Sequence, residues 1–99
     1  MRFLDLDGVE GKEGFMERCA SALSLPEWFG RNWDALADCL GDSGIWPDSA
    51  HGLVLVVTGW EAFAGRHPGE WATARAVFVE AMERRRGTDA PLTVALGLG

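Results

Sequence analysis

Three apolar runs of strand length punctuate the chain: RFLDL at 2–6, LVLVVT at 53–58 and LTVALGL at 92–98. The first ends at the turn signal Asp7-Gly8, and the third begins just after Pro91. The middle run is continuous and β-branched, the pattern of a strand buried in a parallel sheet. Between the first two runs the apolar spacing becomes helical: Phe15, Cys19 and Ala22, then Trp33, Leu36 and Leu40. Pro26 disfavours helical geometry at Leu25 and so ends the first helix, and Asn32 is a cap for the second. Between the last two runs lie a short segment around WEAF (60–63) and a long helix over about 68–86. Its apolar stripe is Trp71, Ala74, Phe78 and Met82. Strands alternating with helices imply crossover connections and a small α/β fold, a parallel three-stranded sheet packed with helices. GDSGIWPDSAHG at 41–52 is loop by composition.

A chain of 99 residues makes one domain, 1–99, with room for a single core but not for a second lobe around a catalytic cleft. Its hydrophobic fraction of 47% and charged fraction of 24% are those of an ordinary globular protein. No apolar run has the length of a membrane span, and the acidic N-terminal stretch does not read as a signal peptide, so a cytoplasmic protein is expected. Cys19 and Cys39 have no metal-ligand spacing and read as small buried hydrophobes. The net charge of −6 argues against a nucleic-acid partner, since phosphate binding needs a basic face. Arg84, Arg85 and Arg86 form a basic run, but cations before Gly87 are what a helix C-terminus favours. Between 25 and 48 the chain carries Glu27, Asp34, Asp38, Asp42 and Asp48 against Arg31 alone. A patch of this kind attracts a basic partner.

The acids of that patch have an unusual arrangement. On a helix over 33–40, Asp34 and Asp38 stand one turn apart, separated by only about 40° around the axis. Like charges at this spacing disfavour an isolated helix. The arc of Trp33, Leu36, Ala37 and Leu40 lies opposite, so both carboxylates are expected to face water rather than the buried setting that acid–base work requires. A metal site would have to recruit Asp42, Asp48 or His51 from the loop, an incomplete ligand set. GDSG at 41–44 resembles the nucleophile loop of trypsin-like proteases, but His51 and His67 follow it rather than precede it, and turn chemistry explains it. Nothing ties Cys39 to His67. No catalytic residue, metal or cofactor is therefore expected. Recognition suits the same residues better: Trp28 and Phe29 stand on a loop bounded by Pro26 and Gly30, beside a doubly acidic face. One of these rings is expected to plug the core under the loop, Phe29 before Trp28.

The stretch LPEWFGRNWDALADCL (25–40) resembles the signature of the barstar family: Leu-Pro-Glu, two aromatics, Gly, any residue, Asn, any residue, Asp-Ala-Leu, any residue, Asp-Cys-Leu. The similarity extends through WEAF (60–63) and VFVEA (77–81), covering nearly the whole chain in order. The resemblance implies a three-stranded parallel sheet with helices and an intracellular inhibitor of a secreted, basic bacterial ribonuclease or nuclease toxin, bound one to one by a chain that is a monomer when free. It implies that Asp38 enters the nuclease's phosphate-binding site and that Asp34 pairs with basic groups at its rim. Trp28 falls where the family has a tyrosine that stacks on the catalytic histidine, and Glu80 matches an acidic contributor on the last helix. Ala37 stands where the family often has a tryptophan at the interface edge. Arg31 adds a cation to the patch, and the longer 41–52 loop leaves open whether Trp46 replaces an interface aromatic. Glu80 has Arg84 one turn on, which would partly mask it. The expected contact set is thus Asp34, Asp38, Trp28, Glu80, Phe29, Ala37 and Trp46. The alternative is a non-inhibitory adaptor or regulatory module of the same fold that binds another basic protein.

Overall fold

A computed structural model describes residues 1–42 and 51–97. Its elements follow in the order β1 (Arg2–Asp5), α1 (Gly11–Ala22), α2 (Trp33–Gly41), β2 (Leu53–Thr58), α3 (Trp60–Arg66), α4 (Pro68–Arg85) and β3 (Leu92–Leu96). The strands form one parallel sheet in the order β1-β2-β3, with Phe3 opposite Val56 and Val56 opposite Ala95. Among the described residues, each pair of adjacent strands is therefore joined by two helices, as the alternation of patterns implies. Two strands stop earlier than the apolar runs. Leu6 lies beyond β1, although its N–H still donates to the Thr58 carbonyl at 2.8 Å and its side chain is fully buried. Gly97 likewise donates to Val57 at 2.8 Å beyond β3, and Leu98 lies outside the described residues.

The β2 run is not buried on both faces. Leu53, Leu55 and Val57 are buried, whereas Val54 is exposed and Val56 and Thr58 are half-buried. The inward set packs with Leu4, Leu6 and Leu92 beneath the helices, and Phe3 and Val54 open to solvent on the other side. A continuous apolar run cannot distinguish one covered face from two, because the alternation that would reveal it is erased when both faces are aliphatic.

An aromatic cluster joins the helices. The Phe15 ring, from α1, lies 5.4 Å from Trp33 of α2, 5.5 Å from Phe63 of α3 and 6.5 Å from Phe78 of α4, centroid to centroid. Trp60 stacks on Trp71 at 5.6 Å and donates its indole N–H to the Gly97 carbonyl at 2.9 Å, tying α3 and α4 to the end of the sheet. Of the expected α4 stripe, Trp71, Ala74 and Phe78 are buried, and Met82 is only half-covered. The junction of β2 and α3 depends on Gly59, whose φ is +65° and where a Cβ would approach the Asp7 nitrogen to 2.6 Å.

Arg85 is the one charged residue in the core among the described residues, 2% exposed. Its Nε donates to the Ala90 carbonyl at 2.7 Å and its Nη1 to the Leu40 carbonyl at 3.3 Å. It thereby satisfies a carbonyl in the last turn of α2 and another on the approach to β3. Burial draws the guanidinium below its ordinary pKa, opposed by the nearby charge of Asp42. The basic run at 84–86 is thus three separate structural contacts, since Arg84 pairs with Asp38 and Glu80 and Arg86 pairs with Glu83.

Candidate functional site

Helix α2 is built to hold one face inward and the other out. Asn32 caps it, accepting from the Ala35 N–H at 2.7 Å, and its amide donates to the Gly30 carbonyl at 3.3 Å. Leu36, Ala37, Cys39 and Leu40 are buried, Trp33 is half-buried, and Asp34 and Asp38 are exposed. Replacing Asn32 with Ala should cost about 1 kcal/mol, because it strips the cap from one of the helix's free N–H groups. A thermal melt of Asn32→Ala, with the far-ultraviolet helix signal followed alongside, checks this; an unshifted midpoint would mean that the cap bears no load.

The loop before α2 sorts the two aromatics. The Phe29 N–H donates to the Pro26 carbonyl at 2.9 Å, closing a tight turn. Phe29 then enters the core at 3% exposure, while Trp28 stands 68% exposed on the loop. Phe29 and Ala37, the latter 4% exposed, are therefore removed from the expected contact set as side chains: both are used up in packing. Trp46, also in that set, lies outside the described residues.

The two carboxylates each have an electrostatic partner, which resolves their awkward spacing. Asp34 sits in the first turn, where the positive end of the helix dipole favours an anion. Asp38 accepts from Arg84 Nη1 at 3.1 Å, and Arg84 Nη2 donates to Glu80 at 3.3 Å. The guanidinium thus bridges α2 and α4 and brings Asp38 and Glu80 to one surface. Its pKa is held above the ordinary value, chiefly by the hydrogen bond to Asp38 and also by the Glu80 charge. Gly41 makes space for the bridge: a Cβ there would meet Arg84 Cδ at 3.0 Å. The side chains of Asp38 and Glu80 remain 70% and 55% exposed, so this is a solvated pair of bridges that holds only weakly. The other cation of the patch, Arg31, has a left-handed backbone (φ +52°) and its guanidinium engages Glu17 of α1.

Neither of the two cysteines is activated as a nucleophile. Burial pushes the Cys39 thiol up, and the charges of Asp38 and Asp42 push it further. Cys19 is fully buried and its thiol is raised by desolvation alone. His67 lies at the α3–α4 junction, where its Nε2 accepts from the Gly11 N–H at 3.2 Å and faces Glu10 at 3.2 Å. The same nitrogen can accept the Gly11 N–H or donate to Glu10, according to the tautomer, but not both at once. Among the described residues, no group of three His, Cys, Asp or Glu side chains is arranged to hold a metal, and no helix is long and apolar enough to cross a membrane.

The α/β scaffold thus carries an exposed tryptophan, two outward carboxylates on a capped helix and a third brought alongside Asp38 from another helix. The sequence model of the barstar (barnase inhibitor) family matches residues 1–97, and the chain belongs to that family. The family is one of inhibitors rather than enzymes, and membership suggests a protein partner such as a ribonuclease. No curated protein sequence matches the chain significantly.

Proposed function

We propose that the chain inhibits a basic ribonuclease by laying the outer face of α2, with Trp28 beside it, across the nuclease's anion-binding active site. The observation that carries this reading is that Arg84 brings Asp38 and Glu80 together, with Asp34 exposed one turn before Asp38 on the same helix and Trp28, 68% exposed, on the loop that leads into it. A nuclease that binds a polyanionic substrate offers cations spaced for phosphates, and carboxylates on a rigid helix can occupy them. Trp28 supplies an apolar anchor that a charge-only patch would lack. Each chain takes one nuclease.

The test is titration of the chain against basic ribonucleases from its own cell, with activity and association rate followed together. Inhibition is expected, with association slowing roughly tenfold or more as salt rises from low to high ionic strength. Absence of both inhibition and binding at low salt would overturn the reading. Binding without inhibition would favour the adaptor.

Arg84 makes a more specific test. A partner's cation must share or displace it, so Arg84→Ala should raise affinity for a basic nuclease by roughly twofold to fivefold, mainly through faster association. Weaker inhibition by this variant would mean that Arg84 positions the carboxylates rather than masking them.

A further inference from the structure

The sheet has two edges, and among the described residues only one of them is guarded. β1 carries Arg2 and Asp5, charges of the kind that deter pairing with another chain. β3, LTVAL, has no charge and no proline within it. The Pro91 carbonyl accepts from Leu53 and the Gly97 N–H donates to Val57, so the odd-numbered residues of this segment bond inward to β2. Leu92, Val94 and Leu96 consequently turn their N–H and C=O groups to the open edge.

The side chains along this edge are also unfinished. Leu92, Val94 and Leu96 point to the helix-bearing face, but their cover fails progressively: Leu92 is buried, Val94 half-buried and Leu96 42% exposed. Beside them on α4 stand Val79, 52% exposed, and half-buried Met82. Two shallow hollows of about 120 and 310 Å³ share Val79 and Met82, making one apolar groove between α4 and β3. Arg75 lies at one end and Glu83 at the other.

We propose that this edge pairs with a second copy of the chain, β3 to β3 and α4 to α4, antiparallel about a twofold axis. Both elements have a centre that suits the operation. An axis through Val94 sets Leu92 against Leu96 of the copy, so the outward amide groups meet in register and make about six new hydrogen bonds. An axis through Val79 sets Arg75 against Glu83 of the copy, each four positions from the centre. Opposite charges thus flank an apolar middle at both ends, and a parallel arrangement would put like against like. Glu83 already faces Arg86 at 3.3 Å, but both side chains are well exposed and the carboxylate can be shared. Exposed Val79 and Leu96 and half-buried Met82 are thereby covered at the joint of a six-stranded dimer. This departs from the monomer expected from sequence. It does not rest on the nuclease reading: Val79 lies about 100° around α4 from Glu80, so the acidic surface of α2 stays free in each copy.

The experiment is sedimentation of the full chain over a concentration series, beside three variants. The wild type should approach twice the chain mass at high micromolar concentration. Val79→Glu places two carboxylates at the axis and should weaken the dimer roughly tenfold or more; its melt, extrapolated to low concentration, should match the wild type because residue 79 is exposed. Arg75→Glu should also weaken the dimer, and adding Glu83→Arg to it should restore association by exchanging the charges. A wild type that stays monomeric to about millimolar concentration overturns the proposal, as does a dimer indifferent to Val79→Glu. A monomeric chain that instead accepts an extended segment of another protein at this edge would overturn it too. If Arg75→Glu weakens the dimer and the double exchange fails to rescue it, the twofold arrangement is wrong.

Discussion

Phe15→Ala should unfold much of the protein's margin of stability, lowering it by about 3–5 kcal/mol. The ring is fully buried and touches an aromatic from each of the other three helices among the described residues: Trp33, Phe63 and Phe78. Removing it takes away its burial and leaves a cavity that cannot collapse without moving three helices at once. Aromatic pairs also contribute beyond their buried area, roughly 0.5–1.5 kcal/mol each. A small domain has only about 5–15 kcal/mol in total, so the variant sits close to the folding threshold. Denaturant unfolding should show a midpoint moved far down with the slope retained. Trp28→Ala is the control, since its ring is outside the core and its loss should leave the midpoint near that of the wild type. An unmoved midpoint for Phe15→Ala would mean that the aromatic cluster does not hold the helices together.

The elements of this fold were readable because their signals are local. A β-branched run between turn residues, a proline after a helix and an asparagine before one each act within a few positions, and Asn32 does accept the Ala35 N–H. The outward direction of Asp34 and Asp38 was equally local, set by Leu36, Ala37 and Leu40 on the opposite arc. What the sequence hid is tertiary. Arg84 and Asp38 are 46 positions apart, and their contact depends on α2 packing against α4. Arg84, Arg85 and Arg86 satisfy the same helix-end rule, yet only Arg85 finds the Leu40 and Ala90 carbonyls and turns inward. Its neighbour Ala90, buried just before Pro91, gives no warning of this in the sequence. Trp28 and Phe29 are interchangeable by hydrophobicity, and the turn from Pro26 decides which one is buried. The resemblance to a family carried the nuclease reading further than the residues alone could, and it also brought in Ala37, whose side chain the fold consumes.

Asp38→Ala should separate binding from stability. In the free protein the change removes the like-charge neighbour of Asp34 and installs a better helix former. It also removes the Arg84 hydrogen bond at 3.1 Å, in a side chain that is 70% exposed and strongly screened. Gain and loss are both small and opposed, so the melting temperature should stay close to that of the wild type. The bridge is what makes the shift near zero; without Arg84, relief of the Asp34 repulsion would stand alone and stabilise. In the proposed complex the same carboxylate is desolvated among the nuclease's cations, and truncating it leaves them buried without a counter-charge. The loss is about 2–5 kcal/mol, a range for interface charge pairs to which complexes of this family themselves contribute. That corresponds to inhibition weakened roughly thirtyfold to several thousandfold. Asp38→Asn distinguishes charge from shape, because it keeps the size and a hydrogen-bonding oxygen while removing the charge; it should lose most of the same affinity. The measurement is an inhibition titration beside a thermal melt for both variants. Unchanged inhibition would take Asp38 out of the contact surface, and a large fall in melting temperature would assign it to the scaffold through Arg84 instead.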